Sequence, residues 1–110
     1  MENKKKLLNM FGLCRRAGKL VWGYDAAVSA VRSGEAIACF AAADISEKTF
    51  SNLSFECERA GMKAARIDAE TAELSFACGS RAGVFAVCDH GFADRISELE
   101  ALVRADSPEE

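Results

Sequence analysis

The sequence contains no long hydrophobic run. None of its apolar stretches approaches the roughly 18 residues that a membrane-spanning helix needs, so no membrane segment is expected. The N-terminal stretch MENKKKLLNM continues into an amphipathic pattern, which is unlike the apolar core and cleavage site of a signal peptide. One proline among 110 residues, with a moderate glycine content, also excludes a disordered or collagen-like chain. These absences predict a soluble, cytoplasmic protein that has no membrane partner.

Cysteine and histidine are too few and too scattered for a disulfide framework or a zinc site. The five cysteines are Cys14, Cys39, Cys57, Cys78 and Cys88, without a C-x-x-C pair, and His90 is the single histidine. Their apolar surroundings predict free, buried thiols in a reducing compartment. Cys14 is the one exception, since Arg15 and Arg16 beside it would lower the pKa of its thiol, but no base lies within sequence reach and a buried core position remains the favoured interpretation. We therefore expect neither a metal nor a cofactor.

Catalytic constellations are equally sparse. After the last predicted strand, His90 with Cys88 or with Asp89 offers a base and a partner, but no further group completes a site. The simpler interpretation is that Asp89 and His90 cap the final helix. The segment CGSRAG is not a nucleotide-binding loop, because such a loop follows a strand and precedes a helix, whereas here the order is reversed. The sequence predicts a protein without enzymatic activity.

Helical and strand patterns alternate along the chain. Apolar residues at helical spacing predict five helices: Lys4 to Ala17; Tyr24 or Asp25 to Ser33; Asp44 or Ser46 to Gly61, burying Phe50, Leu53, Cys57 and Ala60; Asp68 to Gly79; and a last helix with the stripe Phe92, Ile96, Leu99 and Val103. Apolar runs predict strands at residues 19–22, 36–43, 63–67 and 83–88. Because these strands are too short and apolar to face water, we expect a three-layer α-β-α sandwich with helices on both faces of a four-stranded sheet. One domain is expected over residues 1–104, followed by a short acidic tail at residues 105–110.

Charge is unevenly distributed. Residues 1–34 carry seven cations against two acids, a net charge of +5, whereas residues 35–110 carry −8 and the whole chain −3. A basic patch attracts polyanions within a Debye length of roughly 8 Å at physiological salt, and nucleic acid is the obvious polyanion. An alternative stays open. The cations at residues 4–6 also suit a solvated helix start, and Arg15 and Arg16 suit the negative end of a helix dipole.

Three segments carry a resemblance to a known family. RRAGKLVWG, AADISEKT and ELSFACGSRAGVFAVCDHGFADRI resemble the signature segments of the ribosomal protein L-seven-Ae / L-thirty-e superfamily, and more narrowly its bacterial YlxQ-type branch. The resemblance runs from about Leu7 to Leu102, in the same order and at similar spacing. It implies an α-β-α sandwich with a mixed four-stranded sheet, no catalysis, and binding of structured or ribosomal RNA, typically at kink-turns.

The resemblance also implies where the RNA is met, at one end of the sheet. The matching positions are Gly23, Tyr24 and Asp25 at the second helix, Ser46 and Lys48 at the third, and Ser80, Arg81 and Ala82 before the last strand. Arg15, Arg16 and Lys19 would surround this surface with cations. Trp22 or Tyr24 could stack on an unpaired base, although core packing is the favoured interpretation for Trp22.

One departure from the family pattern concerns base recognition. Kink-turn readers carry Asn-Glu and, one turn later, Lys at the start of the second helix, where this sequence has Asp25, Ala26 and Ser29. A carboxylate cannot donate to a base acceptor and alanine offers no polar group, so direct base readout is largely missing. Generic or shape-based RNA binding is therefore the main hypothesis. The alternative is a protein-interaction module whose acidic last helix, with Asp94, Glu98 and Glu100, binds a basic ribosomal or regulatory protein.

Overall fold

The structure, a computed structural model, describes residues 2–106, with Asp106 described for its backbone only. Its elements are α1 (Glu2–Arg16), β1 (Leu20–Trp22), α2 (Tyr24–Ser33), β2 (Ala38–Ala41), α3 (Glu47–Arg59), β3 (Ala64–Arg66), α4 (Thr71–Cys78), β4 (Val84–Val87) and α5 (His90–Asp106). The predicted alternation of five helices and four strands is confirmed. Helix α5 extends two residues into the segment predicted as an acidic tail, and residues 107–110 lie outside the described residues.

The four strands form one mixed sheet in the order β1-β4-β2-β3. β2 and β3 are parallel, whereas β4 is antiparallel to both β1 and β2. As a result, β1, β2 and β3 finish at the end of the sheet where β4 begins. We call this the Gly83 end, after the residue that precedes β4, and the opposite end the Lys19 end, after the residue that precedes β1.

The central strand is shorter than its apolar run. The sequence predicts a strand over residues 36–43, but the ladder covers only Ala38–Ala41. Its neighbours are short, with four residues in β4 and three in β3, so regular pairing on both sides cannot extend further. The expected burial on both faces holds, because Phe40 packs into one hydrophobic cluster and Cys39 and Ala41 into the other.

Helices cover both faces of the sheet, as the three-layer prediction requires. α1, α4 and α5 pack on one face, where Phe11 meets Phe40 with ring centroids 5.9 Å apart and Phe85 with centroids 5.4 Å apart. α2 and α3 pack on the other face, against the side chains that alternate with those rings along each strand, such as Val84 and Ala86. Among residues 2–106, no helix combines the length and apolar character that crossing a bilayer requires.

The start of α3 resolves an alternative that the sequence left open. Ser46 is the N-cap, since its hydroxyl accepts a hydrogen bond from the Thr49 N–H at 3.1 Å. Asp44, the other candidate, instead accepts from both the N–H and the hydroxyl of Thr71, at 2.8 and 2.9 Å. It therefore joins the β2–α3 loop to the start of α4. These two hydrogen bonds hold the pKa of the Asp44 carboxyl below its usual value.

Two predictions about helix ends are wrong. The sequence placed the cap of α4 at Asp68, but the helix begins at Thr71 and its N-cap is Glu70, which forms a capping box with Glu73. Ala60, expected on the buried face of α3, is exposed because the helix has already ended there and Ala60 is its C-cap.

Substitution of Gly83 by alanine is expected to destabilise the protein. A methyl group on Gly83 would lie 2.5 Å from Ile45 Cδ1 and 2.8 Å from Thr71 Oγ1, so the side chains of Ile45 and Thr71 would have to shift. Overpacking of this kind costs about 1–3 kcal/mol. Chemical denaturation of Gly83→Ala measures the loss. Wild-type stability in this variant would contradict the close approach, and Gly91→Ala, at an exposed position in α5, is the comparison.

The Asp44–Thr71 contact is expected to make stability depend on pH. A carboxyl whose pKa is lowered by folding stabilises the native state above its unfolded pKa of about 3.9, and this contribution is lost as the pH falls through the folded pKa. Asp44→Ala should therefore lower the melting temperature at pH 7, and its difference from wild type should shrink in acid. A difference that stays constant from pH 7 down to acid would show that the carboxylate charge plays no part.

Candidate nucleic-acid interface

Three segments far apart in the sequence meet at the Gly83 end of the sheet. The Gly23 N–H donates to Val84 O at 2.8 Å, which places the start of α2 beside the start of β4. The Ala42 N–H donates to Gly83 O at 2.8 Å, and the space above Gly83 is filled by Ile45, just before α3. The β1–α2 turn, the β2–α3 loop and the α4–β4 loop thus form one continuous surface.

The start of α2 presents unpaired backbone donors at this surface. Its N-cap is Gly23, with φ 96° and ψ 147°, and no side chain caps the helix. The first bond in the helix runs from the Ala27 N–H to Gly23 O at 2.9 Å, so the N–H groups of Tyr24, Asp25 and Ala26 precede the hydrogen-bond ladder. Nothing lies within 4 Å of where a side chain on Gly23 would begin. An anion can therefore approach the positive end of α2 closely.

The positions that would read bases are directed to solvent. Asp25, Ala26 and Ser29 are all exposed on α2, whereas Tyr24 is half-buried against the α2/α3 side of the core. The three positions that would contact bases are therefore accessible to a ligand. The chemistry at those three positions is a carboxylate, a methyl group and a hydroxyl.

Two exposed cations flank the start of α2. Lys48 lies in the first turn of α3, and Arg81 lies at the tip of the α4–β4 loop. Neither forms an ion pair with a carboxylate of the described residues. Ser46, predicted with Lys48, has its hydroxyl engaged as the cap of α3 and in a 3.0 Å hydrogen bond to Thr49 Oγ1. Lys48 is therefore the residue of that pair free to contact a ligand.

The other two predicted residues of the α4–β4 loop are less accessible than Arg81. Ser80 is half-buried and accepts a hydrogen bond from Arg15 Nη1 at 2.6 Å. Ala82 is buried, and its N–H donates to Ser75 Oγ at 3.2 Å. These contacts fix the loop from beneath, so that Arg81 alone among its three predicted site residues extends into solvent.

Arg15 holds structure together instead of presenting a mobile charge. Its guanidinium donates to the carbonyl of Cys78 as well as to Ser80, and it stacks 4.2 Å from the centre of the Trp22 ring. The core-packing interpretation of Trp22 is wrong: this residue remains 37% exposed, because β1 is an edge strand and Trp22 is its last residue. Arg15, Trp22 and Ser80 thus connect α1, β1 and the α4–β4 loop.

The other two predicted cations form none of these contacts. Arg16 is exposed, and its guanidinium lies back along α1, close to Gly12 where α1 crosses α4. Lys19 stands at the opposite end of the sheet, where its carbonyl accepts from the Cys88 N–H at 2.9 Å. The length of β1 separates it from Gly23. The structure therefore does not bring Lys19 together with the other predicted residues.

The basic N-terminal third does not form a single patch. Lys4 pairs with Glu73 at 3.0 Å, and Arg32 forms a two-bond pair with Glu56 at 3.1 and 2.8 Å. With Lys19 at the far end, the cations of this third are spread over several faces. Proximity in sequence was a poor guide because α1, β1 and α2 point their exposed sides in different directions.

Arg66 is a residue at this end that the sequence analysis missed. Its guanidinium donates to the carbonyls of Ala43 at 3.0 Å and Ile45 at 2.6 Å and lies 4.6 Å from the centre of the Phe50 ring. It holds the β2–α3 loop in place just before Lys48. The available signal was the position of Arg66 at the end of β3, which in a parallel pair lies beside the end of β2.

Cys14 and the Asp89–His90 pair have structural roles. Cys14 is fully buried, as the favoured interpretation predicted, and burial raises the pKa of its thiol to about 12, so the alternative of a thiol activated by the neighbouring arginines is wrong. Arg15 and Arg16 point away from the thiol to their own contacts. Asp89 accepts from the Phe92 N–H at 2.9 Å and so caps α5, as predicted, while His90 is exposed in its first turn.

Known proteins resemble this chain over most of its length. No family model matches it. An RNA-binding protein YlxQ of Enterococcus faecium is 32% identical over 97 residues, which cover 88% of this chain and 93% of the relative. A structure of a protein of unknown function from Bacillus halodurans has a TM-score of 0.80 at 26% identity, covering 87% of this chain and 97% of that one.

A second solved structure extends the similarity of fold. The Giardia lamblia 15.5kD RNA binding protein has a TM-score of 0.73 at 23% identity, covering 96% of this chain and 90% of that one. The mixed sheet and the two helical layers match the fold that the sequence segments implied. The identity to the Enterococcus protein over nearly its full length shows that the chain belongs to the YlxQ family.

Proposed function

We propose that this protein is a non-catalytic, cytoplasmic RNA-binding protein whose Gly83 end contacts the backbone of a structured RNA. The observation that carries the proposal is the uncapped start of α2 beside the exposed cations Lys48 and Arg81. Membership of a family in which a relative is named an RNA-binding protein supports the same conclusion. Free, mostly buried thiols suit the reducing environment of the cytoplasm.

The start of α2 suits a phosphate group in both charge and shape. Its three leading N–H groups are available as donors, and the helix dipole adds about half a positive charge at that end. Gly23 leaves open space, so a phosphate oxygen can approach the backbone without meeting a side chain. This arrangement binds any sugar-phosphate chain and does not by itself select a sequence.

Lys48 and Arg81 add long-range attraction. Lys48 extends from the first turn of α3 and Arg81 from the α4–β4 loop, and no carboxylate among the described residues neutralises them by direct pairing. With three or four phosphates engaged, the logarithm of the association constant should fall against the logarithm of salt concentration with a slope of roughly −2 to −4. Binding at low salt is therefore expected to weaken markedly at physiological salt.

The RNA is recognised mainly by shape. The exposed positions that read bases in kink-turn binders hold Asp25, Ala26 and Ser29, which cannot reproduce an amide-carboxylate-lysine set. Asp25 also places a negative charge close to the proposed phosphate site. We propose structured RNA, with ribosomal RNA as one candidate, and a weaker preference for kink-turns than the family pattern implies.

The protein-interaction alternative has less support. On α5, Glu98 pairs with Arg95 at 2.7 Å and Glu100 pairs with Arg104, so two of the three acids considered for a basic partner are already neutralised. What supports a non-catalytic role is that Asp89, one of the two groups considered as a partner for His90, is engaged as the cap of α5.

The test compares two pairs of charge removals at opposite ends of the sheet. Lys48→Ala with Arg81→Ala removes the cations beside α2, whereas Lys19→Ala with Lys63→Ala removes two exposed cations from the Lys19 end. A kink-turn RNA, a plain duplex and bulk ribosomal RNA are titrated at two salt concentrations. The first variant should bind every RNA more weakly and flatten the salt slope by about two, because two phosphate contacts are lost.

The control variant carries the same loss of charge and should bind almost as wild type does. Equal weakening in both variants would contradict a localised site and indicate attraction by total charge. Absence of saturable binding to all three RNAs at low salt would overturn the proposed function. A stable complex with a basic protein, recovered in its place, would then favour the alternative.

A further inference from the structure

We infer that Trp22, with Arg15 stacked behind it, is a platform for one unpaired RNA base. The inference rests on the proposed function and deepens it, because it names the RNA feature that the site selects. A continuous duplex keeps its bases stacked inside, so only a bulge, loop or splayed end can place a base on an exposed ring. The RNA recognised should therefore contain at least one unpaired nucleotide beside a duplex.

Trp22 stands where such a base would arrive. It ends the edge strand β1 and directly precedes Gly23, so its Cα lies about 3.8 Å from that of the α2 cap. Leu20, two residues earlier on the same face of the strand, is buried in the α1/α4/α5 cluster, while Trp22 remains 37% exposed. A phosphate at the start of α2 and a base on the indole would thus contact consecutive residues of the chain.

Arg15 fixes the indole in advance. Its guanidinium lies 4.2 Å from the ring centre and is itself held by the Cys78 carbonyl and the Ser80 hydroxyl. Neither of these partners is a carboxylate, so the positive charge remains to attract the electron-rich ring and the polyanion beyond it. A ring that is already ordered loses little freedom when a base stacks on it. The exposed part of Trp22 is surface that Arg15 leaves uncovered.

The chain offers a matched pair of residues elsewhere. Phe55 is 60% exposed and has the Arg59 guanidinium 5.7 Å from its ring centre, but it lies in the third turn of α3, away from the start of that helix and from the Gly83 end. Like Trp22, Phe55 is exposed and lies beside an arginine. Unlike Trp22, it does not adjoin the uncapped start of a helix. Comparison of the two positions separates a site from a general effect of surface aromatics.

Fluorescence reads the proposed contact directly, because Trp22 is the only tryptophan in the chain. The probes are a hairpin RNA with one bulged adenosine, the same hairpin with an abasic residue at the bulge, and a hairpin with a continuous stem. Stacking should quench the Trp22 emission with the bulged adenosine and leave it nearly unchanged with the other two. Affinity for the abasic probe should be lower by about 10- to 100-fold, the loss expected for one stacked base.

Substitutions supply the second readout. Trp22→Ala should weaken binding of the bulged adenosine probe by about 10- to 100-fold, with the salt slope unchanged because no phosphate contact is lost. Trp22→Phe should recover part of the affinity, and Phe55→Ala should leave it unchanged. Arg15→Met removes the guanidinium that positions the indole. It should therefore reduce the quenching of Trp22 emission and leave the salt slope unchanged. A slope reduced by about one would instead show that Arg15 contacts phosphate.

Two failures would have different meanings. Saturable, salt-dependent binding of the bulged probe with unchanged Trp22 emission, and with Trp22→Ala binding as tightly as wild type, would overturn the platform and leave the proposed function standing. Absence of binding to every probe would overturn the proposed function itself. Circular dichroism spectra establish that the alanine variant is folded, and Trp22→Phe, which keeps the ring, decides the question if it is not.

Discussion

The close approach at Gly83 is the contact on which the candidate site depends. The residue has no side chain, so Ile45 and Thr71 pack directly against its backbone. Through it, the β2–α3 loop and the start of α4 lie against the entry to β4, while Val84 accepts the hydrogen bond from Gly23. Polar ties reinforce the contact, since Asp44 joins Thr71 and Arg66 holds the carbonyls before α3. Three loops that would otherwise move independently become one surface.

Positive charge has two different uses in this protein. Arg15 and Arg66 are half-buried. Each donates hydrogen bonds to backbone carbonyls, and each guanidinium lies over an aromatic ring. Lys48 and Arg81 stand in solvent without such contacts and keep their charge available. A planar guanidinium can donate at its edge and stack on its face at the same time, which explains why arginine occupies both structural positions.

The alternation of elements and the layered fold could be predicted from the sequence because they follow from local periodicity. The strand over residues 36–43 is apolar at every position, and its burial on both faces follows from that pattern alone. Helix ends were less predictable. Asp68 and Glu70 are both acidic residues near the start of α4, and the choice between them depends on Glu73, whose side chain bonds back to the Glu70 N–H. The length of β2 depended on its partners and not on its own residues.

The composition of the site was only partly predictable for a similar reason. The positions of Gly23, Lys48 and Arg81 came from the resemblance to a family, which carries information about the fold. Lys19 and Arg16 came from proximity in sequence, which does not say to which end or face a side chain belongs. Trp22 was misjudged because a large apolar residue in a strand is usually buried. Only the sheet order, which puts β1 at an edge, leaves it partly in solvent.

The bare start of α2 has a consequence for the free protein. Glycine at an N-cap stabilises a helix by only about a few tenths of a kcal/mol less than a capping side chain, so the bare start costs little. The amide hydrogens of the first turn precede the hydrogen-bond ladder and are open to exchange with water when nothing is bound. A serine or aspartate at Gly23 would strain the backbone, because φ is 96° there, and its side chain would occupy the place that an incoming anion needs. An anion bound at this position would supply the hydrogen-bond acceptor that the first turn of α2 lacks in the free protein.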